Sequence, residues 1–330
     1  MTTVRAVVIA KPGGVDVLSV GEVDVRAPGP FEIAVKVKAA GLNRADLLQR
    51  MGLYPAPAGS PDNVPGLEYA GEVIALGENV TEVREGDRVM GIVGGGAMAE
   101  EVIVDARCAV PIPESLAFEQ AAAIPEAFFT AFDALVLQAK MTLGDVVLIH
   151  AVGSGVGAAA VQLVRAASAR AFGTSRTQEK LDRAHALGTE AGILATDGKF
   201  ADALRAKSGQ RGADIILDTV GAAYLSENLH ALADGGRMVA VGLLGGATGE
   251  LPMGMLLKKR ARILGTVLRS RPREDKIALA QAFRRSALPL FATGQLAPVI
   301  DQVFSMTAVR EAHQRLEQNA TFGKLILTWP

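Results

Sequence analysis

The stretch VVLIHAVGSGVGAAAVQLVRAA, Val146 to Ala167, carries more information about the fold than any other part of this 330-residue chain. An apolar run predicts a buried strand, a glycine-rich turn follows, and small and apolar residues then predict a helix. The turn GSGVGA, Gly153 to Ala158, matches the pattern G-x-G-x-x-A. A turn without bulky side chains lets backbone N–H groups approach a pyrophosphate, and the positive end of the helix adds to the attraction. The stretch predicts a dinucleotide site, although a turn that serves only close packing has the same pattern.

Further apolar runs alternate with amphipathic segments up to about residue 268. Strands of a parallel sheet that is covered by helices on both faces are apolar throughout, so the pattern predicts a doubly wound nucleotide-binding sheet. Its six predicted strands are Val146–Ala151, Ala169–Thr174, Ala191–Ala195, Asp214–Thr219, Arg237–Leu243 and Ile263–Leu268.

The first 113 residues have a different pattern, in which short runs of alternating apolar and polar residues are separated by glycine and proline. This pattern predicts a mostly antiparallel β domain with one helix over Asn43–Gly52. A helical run follows over Ser115–Val136. After the parallel sheet, the sequence predicts a long helix over Glu274–Thr293, a strand, a helix and a last strand over residues 324–329 that can complete the first domain.

Composition excludes several classes of function. A formal net charge of -1 gives no reason to expect nucleic acid or an anionic membrane as a partner. No apolar run approaches the roughly 20 residues of a membrane span, and the apolar part of the N-terminus is too short for a signal peptide. The single Cys108, in an apolar run that predicts a buried strand, excludes an intramolecular disulfide. We expect a soluble, cytoplasmic protein.

A metal centre is not predicted. The four histidines and Cys108 are scattered, without a C-x-x-C or H-E-x-x-H pattern, whereas zinc needs three or four convergent ligands. His150 stands at a predicted strand end, where packing or hydrogen bonding explains it better than metal binding. A G-x-S-x-G nucleophile turn is also absent from the sequence.

The end of the second predicted strand of the sheet distinguishes NAD from NADP. An NAD site has Asp or Glu there to hold the ribose 2′-hydroxyl. This chain has Ser175 and Arg176, with Lys180 further along the next helix. A hydroxyl and two cations suit a 2′-phosphate, so the sequence favours NADPH, although a solvated helix start also explains the two cations.

Segments in order along nearly the whole chain carry a resemblance. They include KPGG (Lys11 to Gly14), LNRADLLQRMGLYPAP (Leu42 to Pro57), PGLEYAGEV (Pro65 to Val73), AAAIPEAFFTAF (Ala121 to Phe132), the glycine turn, GGRMVAVGLLGG, LLKKRARILGTVLRSR and FGKLIL. On these segments the chain resembles the zinc-independent quinone oxidoreductases of the medium-chain dehydrogenase/reductase superfamily, most closely the tumour-suppressor-induced branch, with zeta-crystallin further off. The resemblance implies a GroES-like β domain formed by residues 1–122 and 268–330, a Rossmann domain over residues 123–267, NADPH as cofactor and no metal. Zinc-dependent relatives have G-H-E where this chain has Gly66-Leu67-Glu68.

The resemblance also implies roles for particular residues. In the family's register the glycine motif is A-x-x-G-x-x-G, with Ser154 where many members have glycine. Asn43 and Tyr54 are expected to face the nicotinamide and the substrate, and Ala195 replaces a tyrosine that in relatives lies near the adenosine phosphate. The expected cofactor-binding residues are Asn43, Tyr54, Thr130, Gly153, Ser154, Gly155, Val156, Gly157, Ser175, Arg176, Lys180, Leu243, Leu244, Leu268, Arg269, Ser270, Phe322 and Lys324.

Tyr54 is the candidate polar group for an acceptor. Its hydroxyl can hydrogen-bond a quinone oxygen without losing its proton, because an ordinary tyrosine has a pKa of about 10. An aromatic ring in the turn GLYPAP can equally serve only as a wall.

The most basic run of the chain is LLKKRARILGTVLRSRPR, Leu256 to Arg273. It permits an RNA-contacting patch, but its apolar alternation favours an edge strand over Ile263–Leu268 that pairs with a second copy in a homodimer.

Three functions remain open. The first is NADPH-dependent quinone reduction by hydride transfer, without metal or flavin. The second is reduction of an activated carbon–carbon double bond, as in enoyl or alkenal reductases. The third, from another class, is a non-catalytic NADPH-binding protein that acts in redox sensing or RNA binding.

Overall fold

The computed structural model describes residues 1–329, which form two compact units. One unit contains Met1–Phe129 together with Leu268–Pro330, and the other contains Thr130–Val267. We call them the β unit and the nucleotide-fold unit. The predicted domain boundaries fall after residues 122 and 267, and the two units divide after Phe129 and Val267.

The first segment of the β unit contains seven strands and the first helices. A proline at the first position of a helix does not destabilise the helix, because the N–H that proline lacks would have no intrahelical partner there. Pro125 begins the third helix in this way. The predicted helical run over Ser115–Val136 is therefore divided into separate helices. The elements are β1 (Thr2–Ile9), β2 (Leu18–Val25), β3 (Glu32–Leu42), α1 (Arg44–Arg50), β4 (Glu68–Leu76), β5 (Arg88–Ile92), β6 (Glu101–Asp105), β7 (Val110–Pro111), α2 (Phe118–Ala122) and α3 (Pro125–Phe132), the last crossing the division between the units.

The nucleotide-fold unit alternates strands and helices after a π-helical turn over Asp133–Gln138. Its strand β8 is completely buried, as a central parallel strand must be. The elements are β8 (Val146–Ile149), α4 (Gly155–Ala166), β9 (Arg170–Ser175), α5 (Gln178–Leu187), β10 (Ala191–Leu194), α6 (Ala201–Lys207), β11 (Ala213–Asp218), α7 (Leu225–Ala231), β12 (Leu232–Ala240), α8 (Met253–Lys259) and β13 (Arg262–Gly265).

The last segment returns to the β unit. The predicted single helix over Glu274–Thr293 is two helices, because Pro289 has no N–H for the hydrogen bond that a continuous helix requires. The segment contains α9 (Arg273–Ser286), α10 (Leu288–Ala292), β14 (Ile300–Ser305), α11 (Val309–Glu317) and β15 (Lys324–Thr328).

The β unit contains a two-stranded sheet of β1 and β2 and a seven-stranded sheet in the order β14-β15-β3-β4-β5-β7, with β6 also paired to β3. All pairs are antiparallel except β14 with β15, which confirms the predicted mostly antiparallel domain. Strand β3 is antiparallel to both β4 and β15. Its carboxyl end therefore meets the beginnings of both neighbours, and this meeting point positions the polar side chains described below.

The nucleotide-fold unit contains one six-stranded parallel sheet in the order β10-β9-β8-β11-β12-β13. In the order of the strands along the unit this is 3-2-1-4-5-6, the doubly wound arrangement, so the predicted fold is confirmed. The largest errors in strand extent are in the last two strands: β12 begins at Leu232 and ends at Ala240, and β13 ends at Gly265, so Thr266 to Leu268 lie beyond the edge strand.

Two further features of the described residues bear on the sequence predictions. Cys108 is buried but ends a 3-10 turn over Ala106–Cys108 rather than lying in a strand, because the chain turns there between β6 and β7. Among residues 1–329, no helix has both the length and the apolar character that crossing a membrane requires.

Candidate active site

A buried ion pair lies where β3, β4 and β15 meet in the β unit. Glu68 begins β4 and is fully buried, and Lys324 begins β15 and is 5% exposed. Nζ of Lys324 lies 2.6 Å from Oε1 of Glu68. Lys324 also donates to the backbone oxygen of Leu42 at 3.0 Å and to Oδ1 of Asn43 at 2.5 Å. All three ammonium protons therefore have acceptors within the β unit.

Asn43 links the two charges. Its Nδ2 donates to Oε1 of Glu68 at 2.9 Å and to the backbone oxygen of Gly41 at 3.3 Å, while its Oδ1 accepts from Lys324. The predicted roles of Asn43 and Lys324 at a cofactor remain predictions. What the β unit does bring together is these two side chains and Glu68, a partner that the sequence reasoning missed.

Gly41 makes room for this pair. A Cβ atom on Gly41 would lie 2.1 Å from Oε1 of Glu68 and 2.8 Å from the backbone oxygen of Ala122. Real Cβ atoms essentially never come so close, so only glycine allows the carboxylate to lie against β3.

Asp46 fixes the turn that precedes Glu68. Its two carboxylate oxygens accept from the backbone N–H groups of Gly66 at 2.9 Å and Asn43 at 2.8 Å. Gly66 has φ +106°, and a Cβ there would lie 2.6 Å from the backbone nitrogen of Met98. Burial raises the pKa of Asp46 to about 6, and the two N–H donors oppose that rise.

Tyr54 is held by Arg269, which is almost fully buried. The guanidinium donates to the backbone oxygens of Gly94 at 2.8 Å and Tyr54 at 2.9 Å and to Oε1 of Gln49 at 2.5 Å. Its Cζ also lies 4.8 Å from the centre of the Tyr54 ring. Arg269 thus uses its side chain to position Tyr54, while its backbone oxygen accepts from Nζ of Lys276 at 2.7 Å. Burial raises the pKa of the Tyr54 hydroxyl.

Glu126, in the first turn of α3, is a further acidic group that sequence reasoning missed. Its backbone N–H donates to Oε2 of Glu68 at 2.8 Å, which places it directly beside the buried pair. The side chain is half-buried. Burial, and secondly the charge of Glu68, raise the pKa of the Glu126 carboxyl to about 8. The available sequence signal was a single carboxylate within the apolar run AAAIPEAFFTAF.

In the nucleotide-fold unit, the glycine turn is the N-terminus of α4. Ser154 is the N-cap, and its Oγ accepts from the N–H of Gly157 at 3.0 Å. The N–H groups of Gly155 and Val156, the first two helical positions, have no intrahelical partner. A Cβ on Gly157 would lie 2.7 Å from the backbone oxygens of Ala151 and Val152. Close packing thus requires glycine at 157, which fits the family's A-x-x-G-x-x-G register, and the two open N–H groups suit a phosphate.

The predicted 2′-phosphate residues follow at the end of β9. Ser175 is buried and its Oγ accepts from the N–H of Thr177 at 3.2 Å, whereas Arg176 is exposed and Lys180 is half-buried on α5. The strand thus ends in a hydroxyl and a cation where an NAD site has a carboxylate.

A buried polar chain crosses the carboxyl ends of β8, β9 and β11. His150 lies 2.8 Å from Oγ1 of Thr174 and 2.7 Å from Oδ1 of Asn228, whose Nδ2 donates to Asp218 at 3.1 Å. Burial lowers the pKa of His150. The expectation that this histidine is hydrogen-bonded is confirmed.

Tyr224 packs beside that chain, with its ring centre 4.9 Å from that of His150. The charge of Arg176 opposes the burial that raises the pKa of Tyr224, so the phenol lies near the predicted phosphate residues. Sequence reasoning missed this aromatic residue.

The remaining predicted residues fall in both units. Leu243 and Leu244 are each 59% exposed, and Thr130 is half-buried, all in the nucleotide-fold unit. In the β unit Leu268 and Phe322 are buried and Ser270 is exposed. Their contacts to a cofactor stay predictions. Within residues 1–329, no three His, Cys, Asp or Glu side chains are grouped in a way that could hold a metal ion.

Two family descriptions match the chain. The family described as "Alcohol dehydrogenase GroES-like domain" matches residues 29–114, and the family described as "Zinc-binding dehydrogenase" matches residues 155–284. The human protein named quinone oxidoreductase is 32% identical over 327 residues, covering 98% of this chain and 97% of its own length. These matches define a two-domain dehydrogenase/reductase.

Solved structures agree with this class. One described as an NAD-dependent alcohol dehydrogenase has a TM-score of 0.87 and 33% identity, covering 98% of this chain and 99% of its own. The CurK enoyl reductase has a TM-score of 0.86 and 25% identity, with full coverage of both chains. The chain belongs to the medium-chain dehydrogenase/reductase superfamily and is an oxidoreductase of the quinone oxidoreductase-like group, as the sequence segments predicted.

Proposed function

We propose that the chain is an NADPH-dependent quinone reductase. The choice of NADPH over NADH rests on the end of β9. Ser175 and Arg176 stand there in place of a carboxylate, and Lys180 follows on α5. The turn supports a bound pyrophosphate, because Gly155 and Val156 present N–H groups at the positive end of α4. The name of the human relative supports a quinone as acceptor.

The chain's own residues would mainly bind and orient the reactants. When bound, the nicotinamide supplies a hydride, so no protein nucleophile or metal ligand set is required. Arg269 contacts the backbone oxygen and the ring of Tyr54, and the Tyr54 hydroxyl would bond an acceptor oxygen.

Charge reversal at Arg176 tests the cofactor. We expect Arg176→Glu to weaken NADPH binding at least tenfold and to change NADH binding less than threefold, because only NADPH carries the 2′-phosphate. Isothermal titration calorimetry with each coenzyme measures both. Lys207→Glu makes the same charge change at an exposed site on α6 and should leave both affinities unchanged. Equal binding of the two coenzymes by the unmodified protein would remove the argument for NADPH.

Reduction of an activated carbon–carbon double bond is the second candidate. It needs a proton for the α-carbon, and Tyr54 and Glu126 are two protic groups of the β unit. The likeness to the CurK enoyl reductase points in the same direction. NADPH absorbance followed with an ortho-quinone, a para-quinone and an alkenal separates the two reactions. Binding without consumption for every acceptor would instead indicate a non-catalytic NADPH-binding protein.

We also propose a homodimer formed through β13. This strand ends the order of the six-stranded sheet, and Ile263 on it is 38% exposed. An exposed apolar edge is satisfied by pairing with the same edge of a second copy. We expect a dimer in sedimentation velocity at micromolar concentration, and a monomer for Ile263→Lys. Val303→Lys, on the edge strand β14 of the other sheet, should remain dimeric; a monomeric unmodified protein would contradict the proposal.

A further inference from the structure

Glu126 is an acidic group beside the buried pair to which the proposed quinone reduction assigns no role. Its backbone is fixed, because α3 begins at Pro125 and the N–H of Glu126 donates to Glu68. Charged and titratable groups face it from several elements of the β unit: Glu68 on β4, Asp46 on α1, Lys324 on β15, Lys276 on α9, and Arg269 and Tyr54.

The neighbouring cations donate hydrogen bonds to acceptors other than the Glu126 carboxyl. Lys324 bonds Glu68, Asn43 and the Leu42 oxygen, and Lys276 donates to the backbone oxygen of Arg269. The Arg269 guanidinium bonds Gln49 and two backbone oxygens. Among residues 1–329, the Glu126 carboxyl has neither an ion-pair nor a hydrogen-bond partner. A half-buried carboxyl beside the Glu68 charge, without a cation of its own, is most stable as the neutral acid.

We propose that the carboxyl of Glu126 is the proton donor to the reduced acceptor, an inference that rests on the proposed function. The hydride brings two electrons and one hydrogen to the quinone, and the nicotinamide is oxidised. The Glu126 O–H bond breaks, its proton forms the second O–H bond of the hydroquinone, and the electron pair stays on the carboxylate. Solvent then returns the proton. Tyr54 orients the acceptor oxygen and keeps its own proton.

The pH dependence of turnover follows from the protonation of Glu126. The acid form is present below the raised pKa of about 8 and is lost as the pH rises through that value. We therefore expect kcat with a para-quinone to fall above about pH 8. General acid catalysis typically contributes about 10²–10⁴-fold, and a readily reduced quinone needs less of it, so Glu126→Gln should lower kcat about tenfold or more and abolish this fall.

The experiment compares Glu126→Gln with two other variants of the full chain. Glu119→Gln removes an acidic group from the first turn of α2 and should leave kcat and its pH profile unchanged. Glu126→Asp keeps an acid and should retain the fall with pH at a lower kcat, which distinguishes lost chemistry from a lost fold. NADPH affinity by calorimetry should stay within twofold for all three variants.

An infrared titration without cofactor gives an independent readout. A protonated-carboxyl band should disappear as the pH rises through about 8 in the unmodified protein and be missing at pH 7.5 in Glu126→Gln. Asp46, with its pKa raised to about 6, accounts for a separate component at lower pH. If quinone is reduced but Glu126→Gln keeps both its rate and its pH profile, Glu126 is not the proton donor. Loss of that pH profile in Tyr54→Phe would then identify Tyr54 as the donor. If the unmodified protein binds NADPH but reduces no acceptor, the proposed quinone reductase function is itself wrong.

Discussion

Replacing Lys324 by methionine is expected to destabilise the β unit by about 3–5 kcal/mol, the usual effect of removing one partner of a buried ion pair. The methionine fills the space of the aliphatic stem, so the loss is mainly electrostatic. Glu68 would then remain fully buried without its counter-charge, which lies 2.6 Å away in the intact protein. Urea unfolding followed by circular dichroism measures the change in free energy.

An exposed pair in the same sheet provides the control. Lys38 on β3 and Glu72 on β4 lie 3.9 Å apart with side chains 36% and 43% exposed, so Lys38→Met should cost less than about 1 kcal/mol. Adding Glu68→Gln to Lys324→Met removes the unpaired charge and should restore more than half of the lost stability. Equal effects for Lys324→Met and Lys38→Met would show that the buried pair does not hold β3, β4 and β15 together.

Much of the nucleotide-fold unit can be predicted from sequence because its signals are local. A buried strand, a glycine turn and an amphipathic helix each occupy a few neighbouring residues, and repetition of that unit implies the sheet order. The two helix errors lie in the β unit, where one residue overrides a periodic pattern. Pro289 divides the expected helix over Glu274–Thr293, and Pro125 starts a new helix within the expected run over Ser115–Val136.

The polar site of the β unit could be predicted only in part because its partners are distant in sequence. The resemblance pointed to Asn43, Tyr54 and Lys324, yet the partner of Lys324 is 256 positions earlier, at Glu68, and Arg269 is 215 positions from Tyr54. The pairing of β15 and β4 with β3 is what brings Glu68 and Lys324 together. Nothing in the local pattern around Glu126 shows that a second carboxylate lies beside it.

Replacing Gly157 by alanine is the second change with a large expected effect. The added Cβ would meet the backbone oxygens of Ala151 and Val152 at 2.7 Å, and these atoms cannot rotate away as a flexible side chain can. Overpacking of this kind costs about 1–3 kcal/mol, and relief requires α4 to move away from β8. That movement displaces the N–H groups of Gly155 and Val156, so we expect NADPH affinity to fall at least tenfold, which corresponds to about 1.4 kcal/mol.

Gly254 is the matched control for this substitution. It also lies near the start of a helix in the nucleotide-fold unit, on α8, but a Cβ there would meet nothing within 4 Å. Gly254→Ala should therefore be neutral or stabilising by up to about 1 kcal/mol, because alanine loses less backbone entropy than glycine in a helix. Calorimetric titration with NADPH and thermal unfolding of both variants test the contrast. If Gly157→Ala binds NADPH as tightly as Gly254→Ala, the pyrophosphate does not depend on the close approach of α4 to β8, and the assignment of the cofactor to this turn is wrong.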